Sequence, residues 1–270
     1  MKRLEKIGLF AGGGELPLVF GDEVRKGGTK VVAFAANGIT SKDLDGHVDK
    51  IYWLELTETA KLPFIFLSER LKNFVMLGKI PKTILFKKDL SRSKEISSVL
   101  SDAKDHLDDN LMREIANKAK KFGINFLNPA DFLQNLLPEK GVLTKRKPTR
   151  DELQDIEFGR KIAAAIGNLD IGQAVAVKNK DVVAVEALEG TDEMIKRAGK
   201  LAGNGVVFVK MIKPKQDPRF DMPTVGVTTI DSLIEAKAAV LAIEAGKTFF
   251  VNKNEAVKRA DSHGISIVAI

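Results

Sequence analysis

The stretch KIGLFAGGGELPLVFGDEVRK, residues 6–26, decides the expected architecture of the first half of the chain. Residues 6–11 are typical of a short buried strand, and Gly12, Gly13 and Gly14 follow it directly. From residue 15 onward, apolar side chains recur with helical spacing. A strand, a glycine turn and a helix start in this order are typical of a nucleotide or phosphate cradle. A tight turn without a ligand is the equal alternative, because the full dinucleotide pattern and the phosphate-binding lysine are absent.

The rest of the first half alternates short apolar runs with amphipathic helical stretches. This alternation predicts a parallel sheet that is covered by helices on both faces. Strands are predicted at residues 29–36, 50–54, 73–77, 83–86 and 124–127. Helices are predicted at residues 61–72, 91–100 and 110–122.

The second half begins at a clear helix start, because Thr149 and Glu152 have the spacing of a capping box. Two β runs at 173–177 and 182–186 predict a hairpin. Further helices are predicted at 192–201, with Thr191 as its cap, and at 231–245 and 254–263. Further strands are predicted at 205–211, 249–251 and 266–270. We therefore expect a first domain at 1–137, a linker at 138–148 and a second domain at 149–270.

The composition is that of a globular protein and narrows its chemistry. With 44% hydrophobic residues, 270 residues are enough for two ordinary domains. There is no cysteine, and the three histidines are far apart, so a metal is expected on oxygen ligands, as Mg²⁺ or alternatively Mn²⁺. The net charge of +7 favours anionic partners, but a single Trp and a single Tyr argue against a nucleic-acid binder. A signal peptide and a membrane-spanning run are not recognisable, so a cytoplasmic protein is expected.

Charged side chains are concentrated in two loops, residues 186–192 and 210–223, and each loop follows a strand-like run. Proteins of the α/β class place their chemistry where strands end. Glu186 and Glu189 are candidates for contact with a cation or a ribose, with a solvated surface position as the alternative. Lys210 and Lys213 are candidates for phosphate contact, again with a surface role as the alternative.

Asp217, Arg219 and Asp221 alternate along the second loop. In an extended backbone, alternate side chains point to the same face, so the pattern predicts one wall with two carboxylates and a guanidinium. One Asp would hold a metal or activate water, and Arg219 would face the charge that develops on a phosphate. A structural ion pair is the alternative reading. The chemical prediction is metal-assisted cleavage of a phosphoanhydride.

Five segments of the sequence resemble, in the same order, the bacterial UDP-2,3-diacylglucosamine pyrophosphatases of the LpxI type. The two longest ones lie in the second half and are the specific ones. The segments are AGGGELP at 11–17, DDNLMREI at 108–115, LDIGQ at 169–173, VEALEGTDEMIKR at 185–197 and KPKQDPRFDMPTVG at 213–226. Met222 stands where Leu is common in the family, which is a volume-conserving change.

The resemblance implies an α/β protein of two domains with a substrate cleft between them. The first would be a Rossmann-like parallel sheet and the second an α/β domain of unusual topology. It also implies Mg²⁺-dependent attack of water on the α-phosphate of UDP-2,3-diacylglucosamine, giving UMP and 2,3-diacylglucosamine 1-phosphate in lipid A biosynthesis. A homo-oligomer is expected, as is peripheral contact with the inner membrane.

The family's essential aspartate is carried over to Asp221, with Asp217 as the alternative. Metal ligands are expected among Asp221, Asp217 and Glu189. Substrate contacts are expected from Gly12, Gly13, Gly14, Glu186, Thr191, Lys210, Lys213, Gln216 and Arg219. The alternative functions are a nucleotide-sugar transferase and a nucleotide- or phospholipid-binding regulatory protein without hydrolytic activity.

Overall fold

The structure is a computed structural model that describes residues 4–55, 61–80 and 108–270. It divides into two compact units. The first unit comprises Met1–Gln134 together with Asp217–Asp221, and the second comprises Asn135–Gln216 and Met222–Ile270. The predicted strand at 83–86 and the predicted helix at 91–100 lie outside the described residues.

The first unit contains a five-stranded sheet in which all strands are parallel. Its strand order is β3-β2-β1-β4-β5, which agrees with the Rossmann-like parallel sheet that we expected. The strands are β1 (Lys6–Ala11), β2 (Lys30–Ala36), β3 (Lys50–Leu54), β4 (Asn73–Leu77) and β5 (Asn125–Phe126). The strand order reverses next to β1, so the loop that follows β1 lies at the switch point of the sheet, where such folds bind ligands.

Three helices of the first unit are described: α1 (Leu16–Lys26), α2 (Leu62–Ser68) and α3 (Asp108–Lys121). Phe66 of α2 packs against Phe74 of β4, with ring centroids 4.5 Å apart, within a cluster of aromatic rings on one face of the sheet. The prediction of a helix over 61–72 was too long. The amide of Leu71 donates to the carbonyl of Phe66, and Arg70 has a φ of 53°, so the chain turns out of the helix before β4.

Glu69, in this turn, is surrounded by donors. It accepts hydrogen bonds from Lys6 at 2.9 Å, Lys50 at 2.5 Å and the Tyr52 hydroxyl at 2.7 Å. The hydrogen bonds from Lys50, Lys6 and Tyr52 lower the pKa of Glu69 from 4.5 to about 2. A carboxylate with a depressed pKa stabilises the fold at neutral pH, and this stabilisation is lost as the pH falls from about 5 to about 2.

We therefore expect Glu69→Gln to lower the stability of the first unit at pH 7 by about 1–2 kcal/mol, since solvent screens the partly exposed lysines. The difference from wild type should shrink as the pH falls towards 3. Urea unfolding followed by the fluorescence of Trp53, the chain's single tryptophan, reports on this unit. Glu23→Gln removes an exposed ion pair with Lys26 and is the control. Parallel pH profiles for Glu69→Gln and wild type would contradict the assignment.

The second unit contains a six-stranded mixed sheet of order β6-β13-β11-β9-β7-β8. β9, β11 and β13 are parallel to one another, whereas β7 runs antiparallel to both of its neighbours and β6 antiparallel to β13. The strands are β6 (Gly141–Val142), β7 (Ala174–Lys178), β8 (Asp181–Val185), β9 (Val207–Lys210), β11 (Val240–Ile243) and β13 (Ser266–Ala269). β10 (Thr224–Val225) and β12 (Phe249–Phe250) form a separate parallel pair.

Four helices belong to the second unit: α4 (Arg150–Asn168), α5 (Thr191–Ala202), α6 (Val227–Glu235) and α7 (Lys253–Ser262). The capping box of α4 is present as predicted, with reciprocal bonds between Thr149 and Glu152. α4 packs close to the sheet, since a Cβ at Gly159 would lie 2.7 Å from a methyl group of Val209. Within the described residues, every helix is too short or too polar to cross a bilayer.

Two predictions for this unit were wrong in detail. The helix expected over 231–245 is the shorter α6 followed by the buried strand β11. The helix ends because Lys237 adopts a φ of 50° and the amide of Ala238 bonds back to Leu233. Gly190, not Thr191, is the N-cap of α5. The segment predicted as a linker, 138–148, includes β6, which pairs with β13; the predicted domain bounds stay predictions.

Candidate active-site clusters

The glycine turn after β1 is held by the backbone of the loop after β4. The amide of Gly12 donates to the carbonyl of Leu77 at 2.8 Å, and the amide of Gly13 donates to Lys79 at 2.9 Å. A Cβ on Gly12 would lie 2.8 Å from the carbonyl carbon of Gly78, so a larger residue would collide with backbone. Gly12 is therefore required for close backbone packing, and the N–H groups of Gly12 and Gly13 are both already used in hydrogen bonds.

Gly14 differs from its two neighbours. Its φ is 94°, which favours glycine, and a Cβ at this position would meet no atom within 4 Å. It directly precedes Glu15, the N-cap of α1, whose side chain makes no capping hydrogen bond. The open backbone at Gly14 and the start of α1 are therefore the part of the predicted cradle that faces open space.

The segment Asp217–Asp221 forms a turn instead of the extended wall that we expected. The carbonyl of Asp217 accepts from the amide of Phe220 at 3.1 Å and from that of Asp221 at 3.4 Å. The carboxylate of Asp217 also accepts from the amide of Arg219 at 3.1 Å, which closes the turn locally. The extended prediction was wrong because the side chain of Asp217 bonds to its own backbone segment.

Asp217 is the centre of a small cluster of arginines. The guanidinium of Arg219 binds it bidentately, with Nε–Oδ1 at 2.9 Å and Nη2–Oδ2 at 2.6 Å. Nε of Arg113, on α3, lies 3.9 Å from Oδ2. The hydrogen bond from Arg219 and the nearby charge of Arg113 lower the pKa of Asp217 despite its partial burial, and the pKa of Arg219 is raised in return. The ion pair that the sequence left as an alternative is present.

Phe220 fixes this turn to the first unit. Its ring packs edge-on against Phe126 of β5, with centroids 5.6 Å apart, and the guanidinium of Arg219 lies 5.0 Å from the Phe220 centroid. Asp221, the next residue, is exposed. The cluster thus presents two partly exposed guanidinium groups and, directly after them along the chain, an exposed carboxylate.

In the second unit, a series of buried hydrogen bonds connects side chains at the edge of the sheet where β8 and β9 end. The Thr191 hydroxyl donates to Glu186 Oε1 at 2.7 Å, and Lys210 Nζ donates to Thr191 Oγ1 at 3.0 Å and to the carbonyl of Thr224 at 3.0 Å. The amide of Gln173 donates to Glu186 Oε2 at 3.2 Å. Glu186, Thr191 and Lys210 are each at most 8% exposed. These three side chains, predicted separately as site residues, form one network.

The other predicted residues of this unit have partners of their own. Lys213 Nζ lies 2.5 Å from Asp170 Oδ1, and the backbone amide of Lys213 donates to Gln216 Oε1 at 3.0 Å. Arg197 donates to Glu189 at 2.5 Å. Burial raises the pKa of Glu189, but the hydrogen bonds and the charge of Arg197 outweigh it, so that pKa is lowered. Glu189 does not share a hydrogen bond with Glu186 in the described part of the chain.

The predicted ligands offer few carboxylate oxygens to a divalent cation. Within the described ranges, no group of three or more Asp, Glu, His or Cys could hold a metal ion. Asp217 and Glu189, two of the three predicted ligands, already accept bonds at both carboxylate oxygens. Mg²⁺ is commonly held by one or two carboxylates together with substrate phosphates, so the exposed carboxylate of Asp221 fits an ion shared with a phosphate ligand.

Sequence reasoning missed Arg113 and Asp170. Arg113 belongs to the segment DDNLMREI, which we had noted only as a resemblance, and nothing in its spacing indicates that it lies beside Asp217. Asp170, which binds Lys213, lies in LDIGQ and has a φ of 55°, a backbone that Asp tolerates better than most residues. A charged residue inside each of these matched segments was the available signal.

Comparison with known proteins covers almost the whole chain. A family model described as the LpxI N-terminal domain matches residues 6–136, and one described as the LpxI C-terminal domain matches residues 139–268. A curated protein of Caulobacter vibrioides, named UDP-2,3-diacylglucosamine pyrophosphatase LpxI, is 27% identical over 277 residues. The aligned region spans 99% of this chain and 98% of that protein.

Proposed function

Because the chain belongs to the LpxI family, we propose that it is an enzyme that hydrolyses UDP-2,3-diacylglucosamine in lipid A biosynthesis. Water attacks the α-phosphorus, and the bond between that phosphorus and the bridging oxygen breaks. UMP and 2,3-diacylglucosamine 1-phosphate separate, and the proton of the attacking water is taken up by a carboxylate. The observation that carries the proposal is the match of both halves of the chain to the two domains of this one family.

In the first unit, we assign the reacting residues to the turn at Asp217–Asp221. Asp221 is the catalytic carboxylate, either as the base for water or as a ligand of Mg²⁺. Arg219 and Arg113 bind the diphosphate, and Asp217 holds both guanidinium groups in place, so it is a positioning residue. This division is supported by the bidentate contact of Asp217 with Arg219 and by the exposure of Asp221.

Mg²⁺, or alternatively Mn²⁺, would be held by Asp221 with the phosphates of the substrate and would supply positive charge to the phosphate oxygens. In the second unit, Glu186, Thr191, Lys210, Lys213 and Gln216 stay predicted as substrate contacts. Glu189 stays predicted as a metal ligand only if it releases Arg197. We further propose a homo-oligomer that acts in the cytoplasm.

The direct test is to incubate the purified protein with UDP-2,3-diacylglucosamine dispersed in detergent, with Mg²⁺, with Mn²⁺ or with EDTA. We expect UMP to be released with either metal and not with EDTA. In ¹⁸O-labelled water, the label should appear in UMP, which identifies the α-phosphorus as the one attacked. Tight substrate binding without UMP release would instead support a binding or regulatory protein, and label in the sugar phosphate would refute attack at the α-phosphorus.

Arg113→Ala should raise the KM for the substrate by about 10- to 100-fold, because a charge-assisted contact to phosphate contributes about 1.5–3 kcal/mol. Arg113→Lys should restore part of the loss. Arg160→Ala, an exposed arginine on α4 paired with Glu157, is the matched control. Steady-state rates of UMP release give both constants. An unchanged KM in Arg113→Ala would remove this residue from the substrate site.

A further inference from the structure

Three large apolar side chains on the first unit are exposed to an unusual degree. Phe64 and Leu67 on α2 are 78% and 82% exposed, and Phe122, directly after α3, is 83% exposed. These are the three highest values for large hydrophobic residues in the described part of the chain. The opposite side of α2 packs on the aromatic cluster through Ile65 and Phe66, so Phe64 and Leu67 are not needed to attach the helix.

The topology brings these side chains to one side of the first unit. α2 leads into β4 and α3 leads into β5, and these strands are parallel neighbours in which Asn73 pairs with Asn125. Both crossovers run in the same direction across the sheet, so their right-handedness puts both helices on the same face. The amide of Asn125 donates to the carbonyl of Lys72 at 2.7 Å, so the segments that lead from α2 and α3 into these strands meet where the strands begin.

The same region is basic. Lys72 is exposed after α2, and Lys118 and Lys121 are exposed in the last turn of α3. The acid nearest to Lys72 along the chain is Glu69, which is already bound by Lys6 and Lys50. The acid nearest to Lys118 and Lys121 along the chain is Glu114, on the same helix, so these three lysines still outnumber it. Exposed aromatic and aliphatic side chains surrounded by lysines are the combination that inserts into an anionic bilayer surface. A second copy of the chain fits less well, because a two-fold contact would bring these lysines against one another.

We propose that Phe64, Leu67, Lys72, Lys118, Lys121 and Phe122 form a docking surface for an anionic lipid bilayer. The apolar side chains enter the boundary between headgroups and acyl chains, and the lysines lie at the level of the lipid phosphates. This surface is at the opposite end of the sheet from the glycine turn. Only the purpose of this docking surface rests on the proposed function: it would hold the enzyme where a lipid-linked substrate is found.

The test is sedimentation of the full chain with phosphatidylcholine vesicles, with and without phosphatidylglycerol, at low and high salt. Wild type should bind only the anionic vesicles, and salt should weaken the binding. The triple variant Lys72→Glu/Lys118→Glu/Lys121→Glu should reduce the partition coefficient by about 100-fold, since each lysine contributes about 1 kcal/mol. Phe64→Ser/Leu67→Ser/Phe122→Ser should reduce it by at least about tenfold.

The matched control is Lys161→Glu/Lys200→Glu/Lys258→Glu, which makes the same charge change at exposed positions of the second unit. Its partition coefficient should fall by less than about a third as much as that of the variant at Lys72, Lys118 and Lys121, because the control lysines lie outside the proposed contact. Equal losses in both lysine variants, or equal binding to neutral vesicles, would overturn the proposal. So would dimerisation of wild type that the serine variant abolishes without a change in vesicle binding. Hydrolysis in detergent tests the proposed function separately and should be unchanged in all three variants.

Discussion

Asp221→Asn is expected to lower kcat for UMP release by about 10³-fold, within the range for the loss of a positioned general base. Asn keeps the shape of the side chain and removes its charge, so it can neither accept the proton of the attacking water nor bind a cation tightly. The exposed position of Asp221 predicts little change in folding. Single-turnover assays with bound substrate separate this loss from any change in affinity.

The response of the rate to Mg²⁺ concentration distinguishes the two proposed roles of Asp221. If the carboxylate binds the metal, Asp221→Asn should need a higher Mg²⁺ concentration for half-maximal rate, and part of its activity should return at high Mg²⁺. If the carboxylate is the base, the Mg²⁺ requirement should stay that of wild type while the rate stays low. Activity within about threefold of wild type at every concentration would exclude both roles.

Asp217→Asn is the matched comparison, because it removes the same charge four residues away. Asp217 is bound by Arg219 and lies near Arg113, so its loss should mainly disturb the positions of the two guanidinium groups. We expect a higher KM with a smaller loss in kcat than in Asp221→Asn. If Asp217→Asn shows the larger loss in kcat, the catalytic role passes to Asp217, which was the alternative from the sequence.

The sequence predicted the first unit well for a physical reason. Its strands are short apolar runs bounded by turns, and each strand up to β4 was found within one residue of its observed bounds. β11 was missed because its residues, VLAI, also favour a helix, and a strand buried on both faces has no alternation to reveal it. The membership of Asp217–Asp221 in the first unit could not be predicted, since it depends on the packing of Phe220 on a strand about a hundred residues earlier.

For the candidate site, the sequence predicted individual residues but not the contacts between them. The loops that follow β8 and β9 were singled out because charges concentrated at strand ends are unusual in segments that only fold, and their role in a site stays a prediction. Spacing could not show that Thr191 bridges Lys210 and Glu186, since that contact joins positions 19 and 5 residues apart through the sheet. Nor could it show that the carboxylate of Asp217 bonds to its own turn instead of extending beside Asp221.

The buried chain of Glu186, Thr191 and Lys210 leads to the second large effect. Lys210→Met should destabilise the second unit by about 3 kcal/mol, because it removes the cation from a buried network and leaves a buried carboxylate. The oxygen of Thr191 and the carbonyl of Thr224 also lose their donor. Far-UV circular dichroism follows the unfolding of both units, whereas Trp53 fluorescence follows only the unfolding of the first unit. The loss of stability should therefore appear in the circular dichroism signal and not in the fluorescence. Lys200→Met, on the exposed side of α5, is the control.

A double-mutant cycle decides whether Lys210 serves the fold, the substrate or both. Adding Glu186→Gln removes the uncompensated charge. The loss of stability in the double variant should therefore be smaller than the sum of the losses in the two single variants by at least about 1 kcal/mol. If Lys210 also contacts phosphate, this rescue of stability will not restore the KM for UDP-2,3-diacylglucosamine. Rescue of both would make the network purely structural. A loss below about 0.5 kcal/mol in Lys210→Met, which is the range of ordinary surface substitutions, would show that the buried ammonium stabilises neither the carboxylate nor the edge of the sheet.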